Sequence, residues 1–481
     1  MLFNSLEFAI FLPLVVGLYF CLPWRYRTPL LLIASCIFYM AFIPAYILIL
    51  FVTILIDYTA GIYIERSAGR ARRMWLIGSI ISTCAVLFVF KYFDFFTSNF
   101  VGVAHLVGWQ LSKPLVHIIL PIGLSFHTFQ SLSYVVEVYR RRQKAEYHFI
   151  TYATYVMFFP QLVAGPIERP QNLLHQFYEK HEFEYERITA GLKRMAWGFF
   201  KKLVVADRLA LYVNDVYAAP RNFNGLQLTI ATFFFAYQIY CDFSGYSDIA
   251  IGAAQILGFK LMENFRTPYY SKSISEFWHR WHISLSTWFR DYMYIPLGGS
   301  RCGIERWILA VMVTFAVSGL WHGANWTYVV WGVLNGIYLL AGTATKEWRD
   351  RIFGLFGLHR ENFIRQGIML ASTFVLTSVG WIVFRARNVG DAWYVITHFA
   401  YGWDFHQIRT EQFLLRQLPV ALAGLVILEV GQLWQGRGRI SMPSLLIRLP
   451  MAPRWALYAA FVLVVVMFGI YRKTQFIYFQ F

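Results

Sequence analysis

The chain has 481 residues, of which 58% are hydrophobic and 19% aromatic, and it carries a formal net charge of +17. This apolar share is well above that of an ordinary globular domain, and apolar runs recur from end to end, so the sequence predicts an integral membrane protein forming one domain over residues 1–481. The basic residues stand in short segments between apolar runs rather than on one folded basic face, which argues against a nucleic-acid-binding protein.

The first part of the chain predicts a series of membrane-spanning helices. A crossing needs about 17 to 25 apolar residues, and runs of this kind lie at residues 5–22, 29–42, 45–64, 75–93 and 116–138. The region around residues 102–113 is expected to be external. Basic segments at 66–73 and 140–144 follow two of the runs. Because Lys and Arg accumulate in cytoplasmic loops, these segments are placed in the cytoplasm and the N-terminus outside.

Polar residues interrupt the run at 116–138. His127, Gln130 and Glu137 either line a polar passage or form hydrogen bonds with neighbouring helices. The following apolar segment, 152–165, is short and has cytoplasmic-type flanks on both sides. One crossing cannot join two flanks on the same side, so this segment predicts a re-entrant or interfacial element.

The segment 191–217 is basic and amphipathic at first and apolar later. It predicts a helix along the cytoplasmic interface, with Lys201 and Lys202 facing the cytoplasm and Asp207 carried inward. The apolar run 226–257 is then interrupted by DFSGYSD, residues 242–248. Its two acids and two serines predict a polar lining, explained either by a bound cation or by hydrogen bonds between helices.

The central stretch, 273–326, holds the densest group of polar and aromatic residues in the chain. Ser273 and Glu276 have the spacing of a capping box, which predicts one helix carrying His282 and Phe289 on the same face. Arg290 follows, and a charge of this kind is costly in hydrocarbon unless it faces a cavity or the headgroups. Arg290 is therefore a functional candidate.

Two histidines, His282 and His322, lie among tryptophans and small residues. A buried imidazole tends to stay neutral and can then accept the proton of a hydroxyl group, as acyl transfer to an alcohol requires. His322 is the better candidate for this base, because Gly319 and Gly323 would let a ligand approach closely. Candidates for positioning or polarising the acyl group are His282, Asn325 and Trp321. Histidines that only form hydrogen bonds with neighbouring residues of a core would give the same pattern.

Metal chemistry is a weaker interpretation. His279 and His282 have a possible ligand spacing, but carboxylate or thiolate partners are missing, and the five cysteines are scattered. Further apolar runs at 328–342, 367–384, 414–433 and 455–471 bring the predicted total to about eleven membrane segments. Arg472 and Lys473 then predict a cytoplasmic C-terminus.

Four motifs of this sequence resemble the membrane-bound O-acyltransferase (MBOAT) family, and within it the bacterial polysaccharide O-acetyltransferases. They are LVAGPIERP at 162–170, DFSGYSDIAIG at 242–252, WHRWHISLSTWFRDYMYIPLGGSR at 278–301 and SGLWHGANW at 318–326. The resemblance covers nearly the whole chain.

The resemblance implies an all-α polytopic membrane protein, with interfacial or re-entrant helices, shaped as a ring-like bundle around a funnel or tunnel. The catalytic core would lie at about 226–345. His322 matches the catalytic histidine of the family, and His282 matches its second site position. The residues expected to line the tunnel or contact substrate are Asp207, Asp242, Ser244, Asp248, Trp278, Trp281, Arg290, Trp321 and Asn325.

The resemblance also implies a reaction. An acetyl group would pass from acetyl-CoA or another cytoplasmic acyl thioester, without a bound cofactor or metal, across the bacterial inner membrane. A periplasmic partner of the SGNH-hydrolase type would then acetylate the polysaccharide. Alginate, acetylated cellulose, another exopolysaccharide and peptidoglycan stay open as acceptors. Lipid is the other expected partner and nucleic acid is not. A transporter or flippase and an inert scaffold of a secretion complex are the alternatives from other classes.

Overall fold

The computed structural model describes residues 1–112, 120–163, 165–404, 416–436 and 450–471. Within these ranges the chain is helical and has no β-strand, so the predicted all-α class is confirmed. The predicted cytoplasmic end at Arg472 and Lys473 lies outside the described residues.

The α-helices of the described residues are, in the first half of the chain, α1 (Leu6–Cys21), α2 (Arg27–Met40), α3 (Ile47–Arg66), α4 (Gly69–Leu87), α5 (Phe93–Leu106), α6 (Leu124–Tyr139), α7 (Phe149–Met157), α8 (Phe159–Leu162), α9 (Pro170–Leu173), α10 (Tyr185–Phe199), α11 (Asp207–Ala218) and α12 (Gly225–Leu257). Those that follow are α13 (Ile274–Arg280), α14 (Ile283–Phe289), α15 (Ile295–Leu297), α16 (Ile304–His322), α17 (Trp326–Ala344), α18 (Lys346–Leu355), α19 (Phe363–Arg385), α20 (Val389–His398), α21 (Leu418–Gly436) and α22 (Met451–Phe468). Three π-helical turns, Phe88–Tyr92, Phe200–Ala206 and Arg290–Tyr294, continue α4, α10 and α14.

Six helical stretches among the described residues are long and apolar enough to cross a membrane. They are Pro44–Arg66, Gly69–Leu106, Ile304–His322, Trp326–Ala344, Phe363–Arg385 and Met451–Phe468. Two shorter apolar helices, Leu6–Cys21 and Leu418–Trp434, accompany them. The chain is thus a multi-pass membrane protein, while the total of about eleven segments stays a prediction.

The stretch Gly69–Leu106 is longer than the run predicted at 75–93. It passes through the π-helical turn Phe88–Tyr92 and accommodates both Lys91 and Asp94 instead of ending near them. The helix therefore continues beyond the predicted span as far as Leu106, into the region that is predicted to be external.

The chain divides into two compact units. The first comprises Met1–Met195 and Ile249–Met262, and the second Ala196–Asp248 and Glu263–Phe481. The interpretation of residues 1–481 as a single domain stays a prediction.

In the first unit, buried polar side chains bond helices together. Asp57 of α3 is fully buried and accepts hydrogen bonds from the hydroxyl groups of Ser79 (2.5 Å) and Thr83 (3.1 Å) of α4. On α6, Gln130 donates to the Tyr155 carbonyl oxygen (2.7 Å). Such bonds stabilise the contacts of membrane helices.

The remaining polar residues of α6 make similar contacts. Glu137 accepts from the Gln171 amide (2.7 Å) and from Arg140 (3.2 Å), while His127 Nε2 lies 3.4 Å from Thr53 Oγ1. These contacts favour helix-to-helix bonding over a polar passage. The predicted re-entrant segment forms α7 and α8, which have nine and four residues and are too short to span a bilayer.

In the second unit, α16 and α17 cross at glycines. A Cβ atom on Gly319 would lie 2.2 Å from the Tyr328 carbonyl oxygen, and one on Gly332 would lie 2.2 Å from the Phe315 carbonyl oxygen. At Gly323 the Cβ atom would meet the Tyr328 ring at 2.2 Å. The expectation that Gly319 and Gly323 admit a ligand is therefore wrong, because the partner helix already occupies that space.

We expect Gly319→Ala to lower the free energy of unfolding by about 1–3 kcal/mol, the usual cost of overpacking. Gly342→Ala in the same helix pair is the matched control, since nothing lies within 4 Å of its added Cβ atom. The control should be neutral or slightly stabilising, because alanine favours a helix over glycine. Thermal unfolding of the purified protein in detergent tests this, and equal melting temperatures of the two variants would contradict it.

Candidate active site

A break in the central helix positions His282. Ser273 caps α13 as predicted, its Oγ accepting from the Glu276 backbone N–H at 3.1 Å. However, α13 ends at Arg280, Trp281 is extended, and His282 adopts the left-handed conformation with φ of +42° before α14 begins. The prediction of one helix with His282 and Phe289 on the same face is therefore wrong.

Tertiary contacts account for the break. The segment preceding α13 returns alongside it, so that the Arg266 N–H donates to the Arg280 carbonyl oxygen (2.9 Å) and the Ile283 N–H donates to the Asn264 carbonyl oxygen (2.9 Å). These backbone bonds replace helical ones at the point where a continuous helix would have run.

His282 is held in a closed environment. Its ring is 1% exposed, its Nδ1 lies 3.1 Å from Asn264 Oδ1, and the Phe243 ring packs edge-on at 4.5 Å between centroids. The residue lies outside the six candidate spans. Burial lowers the pKa of this imidazole, so the ring is neutral at neutral pH.

His322 is the last residue of α16 and is also buried, with 5% exposure. The rings of Trp321, Trp331 and Phe384 surround it at centroid distances of 5.0, 5.0 and 5.4 Å. The side chain therefore sits among aromatic rings, at the point where its helix ends and the extended residue Gly323 follows.

An aromatic layer joins the surroundings of the two histidines; we define it as Trp281, Trp331, Trp381 and Phe384. Trp281 contacts Trp381 at 4.9 Å, Trp381 stacks on Trp331 at 5.9 Å, and Trp331 contacts His322. Trp278 packs on Trp331 at 5.7 Å. Trp381 and Phe384 come from α19, beyond the predicted catalytic core at 226–345.

A second cluster contains polar and charged side chains of the π-helical turn Phe200–Ala206, of α11 and of α12. Lys202 Nζ lies 2.5 Å from Asp242 and 2.9 Å from Asp207, and Lys201 Nζ lies 2.5 Å from Asp248. Ser244 accepts a hydrogen bond from Lys201 at 3.0 Å. We call these six residues the lysine–aspartate cluster; the side chains of both lysines are at most 5% exposed.

The lysine–aspartate cluster corrects the prediction for Lys201 and Lys202 and bears on the two explanations given for the polar segment DFSGYSD. The side chains of Lys201 and Lys202 are buried rather than exposed as on an interfacial helix, because each ammonium group pairs with at least one aspartate carboxylate in the interior. The cations beside DFSGYSD in the structure are these two ammonium groups. The close approach is possible at Gly245, where a Cβ atom would lie 2.8 Å from the Gly198 carbonyl oxygen.

The other predicted residues are placed as follows. Asn325 caps α17, accepting from the Thr327 N–H at 3.0 Å and donating to the Arg387 carbonyl oxygen at 3.1 Å. Arg290 is exposed and pairs with Asp291 at 2.8 Å. Trp281 is thus part of the aromatic layer, Trp278 packs against that layer, and Trp321 packs against His322. The three predicted aspartates and Ser244 belong to the lysine–aspartate cluster. Their roles toward a substrate stay predictions.

Sequence reasoning missed Asn264 and Glu429. Asn264 is 1% exposed and contacts His282, Ser284 and Ser247. Glu429 of α21 accepts a hydrogen bond from the Tyr270 hydroxyl. Neither residue has a local signal, since each partner lies far along the chain. For Lys201 and Lys202, the signal was available: two lysines inside an apolar run with an acid nearby.

Metal binding gains no support from the residues described. Within those ranges no group of three or more His, Cys, Asp and Glu side chains is placed to hold a metal ion. His279 is exposed on α13 and its Nδ1 lies 2.6 Å from the Ser275 carbonyl oxygen. The break after Arg280 separates it from buried His282. An imidazole among aromatic rings, such as that of His322, is instead suited to proton transfer in a water-poor site.

Comparison with known proteins gives one family. A family model described as MBOAT, membrane-bound O-acyltransferase family, matches residues 75–382. The chain is 37% identical over 454 residues to the probable alginate O-acetylase AlgI of Pseudomonas syringae pv. tomato, covering 92% of this chain and 85% of that protein. It is 33% identical over 426 residues to the peptidoglycan O-acetyltransferase of Helicobacter pylori, covering 82% and 78%. A teichoic acid D-alanyltransferase of Bacillus subtilis is 25% identical over 287 residues, which are 57% of this chain and 69% of that protein.

Proposed function

The chain belongs to the membrane-bound O-acyltransferase family, and from this membership we propose that it moves an acetyl group across the inner membrane for O-acetylation of an extracytoplasmic polysaccharide. Members of this family are enzymes, so the family match and the O-acetyltransferase relatives favour an acyltransferase over the two alternative functions, a transporter and an inert scaffold. The donor in this proposal is acetyl-CoA or another cytoplasmic acyl thioester.

The burial of His322 among aromatic rings carries the proposal. In the proposed step the oxygen of an acceptor hydroxyl attacks the thioester carbonyl carbon, the new C–O bond forms and the C–S bond breaks. His322 takes the hydroxyl proton and returns it to the leaving thiolate, so the products are an ester and a thiol. The surrounding rings exclude water, which favours transfer over hydrolysis of the thioester.

The acceptor hydroxyl in this proposal belongs to a periplasmic partner of the SGNH-hydrolase type, which passes the acetyl group to the polysaccharide. Similarity to alginate O-acetylases over most of the chain supports alginate or a related exopolysaccharide as the final acceptor. The proposal places the N-terminus in the periplasm and the C-terminus in the cytoplasm.

Peptidoglycan is the second candidate acceptor, because the relative from Helicobacter pylori is a peptidoglycan O-acetyltransferase and aligns with 82% of the chain. Acetate released by mild alkali from purified exopolysaccharide and from purified peptidoglycan distinguishes the two. Loss of the chain should remove acetate from only one of these polymers.

Sided membrane vesicles test the proposed function. Acetyl-CoA labelled in the acetyl group is added to inside-out vesicles that hold the full chain, and we expect label in luminal partner protein or polymer. Right-side-out vesicles given the same donor outside should incorporate none. Release of the label only as free acetate, or equal incorporation from both faces, would overturn the proposal.

A further inference from the structure

We infer that Asn264 is a positioning residue that holds His282 in one tautomer, with the proton on Nδ1 and the lone pair on Nε2. The tautomer itself follows from hydrogen-bond geometry. Its meaning for catalysis rests on the proposed function.

The orientation of the Asn264 amide is determined by its neighbours. The Ser284 backbone N–H, which can only donate, lies 3.2 Å from Asn264 Oδ1, and the Ser284 hydroxyl donates to the same oxygen at 3.0 Å. On the other side, Asn264 Nδ2 donates to the Ser247 hydroxyl oxygen at 3.2 Å. A flipped amide would direct its NH₂ group at the Ser284 N–H, so the oxygen must face α14.

That orientation sets the tautomer of His282. Its Nδ1 lies 3.1 Å from the same Asn264 oxygen, which can only accept a hydrogen bond. Nδ1 must therefore carry the proton. Because burial keeps the ring neutral, Nε2 then has no proton and keeps its lone pair.

The backbone gives the ring little freedom to escape this arrangement. The Ile283 N–H donates to the Asn264 carbonyl oxygen at 2.9 Å, and His282 is held at a φ of +42°, which a non-glycine residue rarely adopts. Phe243 packs edge-on against the imidazole at 4.5 Å. Asn264 thus orients His282 through both its main chain and its side chain.

The tautomer limits the part that His282 can take in acyl transfer. Nε2 can accept a hydrogen bond from the acceptor hydroxyl or from the product thiol. Nε2 cannot donate to the acyl carbonyl oxygen, so in this tautomer His282 does not polarise the acyl group as expected from the sequence. Its role is instead to accept a hydrogen bond from the attacking hydroxyl or from the leaving thiol.

Nitrogen NMR of the full-length protein in lipid bilayers, labelled with ¹⁵N-histidine, tests the inference directly. The His282 resonances are identified by their absence in His282→Gln. We expect a protonated Nδ1 and an unprotonated Nε2 in the wild-type protein. A protonated Nε2 with an unprotonated Nδ1 would overturn the inference without reference to any variant.

Two substitutions separate positioning from packing. Asn264→Asp keeps an accepting oxygen, so the tautomer should be retained. Asn264→Leu removes this oxygen, so both tautomers should appear and acetyl transfer should fall by about 10²-fold, the lower end of the range for loss of general acid–base catalysis. Asn335→Leu is the matched control. It removes another buried amide of the second unit, which donates to the Trp331 carbonyl oxygen at 2.8 Å, and should leave the His282 tautomer unchanged.

The outcomes are distinguishable from a failure of the proposed function. If Asn264→Leu keeps the wild-type tautomer, Asn264 does not position His282 and the inference fails. If the wild-type tautomer and the response of Asn264→Leu are as expected but the protein transfers no acetyl group, the positioning by Asn264 stands and the proposed function fails. Should Asn264→Leu not fold, the wild-type and Asn264→Asp spectra still decide the tautomer.

Discussion

His322→Ala is expected to lower the rate of acetyl transfer by about 10³-fold, the middle of the range for loss of a general base. The ring is the proposed acceptor of the hydroxyl proton, and alanine cannot replace it. The side chain packs on Trp321, Trp331 and Phe384, so the variant also leaves a gap beside the aromatic layer. Stability must therefore be measured alongside activity.

The assay is transfer of labelled acetyl groups by equal amounts of folded protein, with folding checked by size-exclusion chromatography in detergent. His279→Ala is the matched control, because this histidine is exposed and its ring contacts the Ser275 carbonyl oxygen of its own helix. The control should keep the wild-type rate. If His322→Ala transferred acetyl groups as fast as His279→Ala, His322 would not be the catalytic histidine.

Lys202→Met is expected to lower the free energy of unfolding by about 3–5 kcal/mol, the cost of removing one partner from a buried ion pair. Lys202 lies between two carboxylates, Asp207 and Asp242, whose side chains are 4% and 5% exposed. Methionine fills a similar volume, so the loss comes from two buried charges that are deprived of the ammonium group rather than from a cavity.

Two controls isolate the charge effect. Lys346→Met changes an exposed lysine of the same unit and should leave the melting temperature unchanged. The triple variant Lys202→Met, Asp207→Asn, Asp242→Asn removes the charges together and should regain much of the lost stability. The melting temperature in detergent is the measurement. A Lys202→Met protein as stable as Lys346→Met would show that the lysine–aspartate cluster does not depend on Lys202.

Local signals in the sequence predicted several features correctly. The predicted apolar runs 328–342, 367–384 and 455–471 coincide with α17, α19 and α22, because a span of this length is favourable in hydrocarbon whatever its neighbours are. Ser273 caps a helix since the cap bonds involve residues only three positions apart. The resemblance to the acyltransferase family rests on motifs contiguous in sequence, and the family match confirmed it.

The places where prediction failed have a common physical origin. Lys201 and Lys202 were assigned to the cytoplasmic interface although Asp207 stands close to them in sequence, because their other partners, Asp242 and Asp248, lie roughly 40 to 50 positions further along the chain and are brought near only by folding. Gly319 and Gly323 were interpreted as ligand contacts because a glycine in the sequence indicates a close contact but not the group that makes it. In the structure, the group in contact with both glycines is Tyr328 of α17.

The sequence by itself determined the all-helical class, several membrane spans and the acyltransferase family, because these depend on hydrophobicity, short-range periodicity and contiguous motifs. Only the tertiary structure decided that the central helix breaks at Trp281, that Asn264 orients His282, and that lysines lie buried among aspartates. Each of these requires a hydrogen bond or charge pair between residues distant along the chain, and its free energy exists only once packing has brought them together.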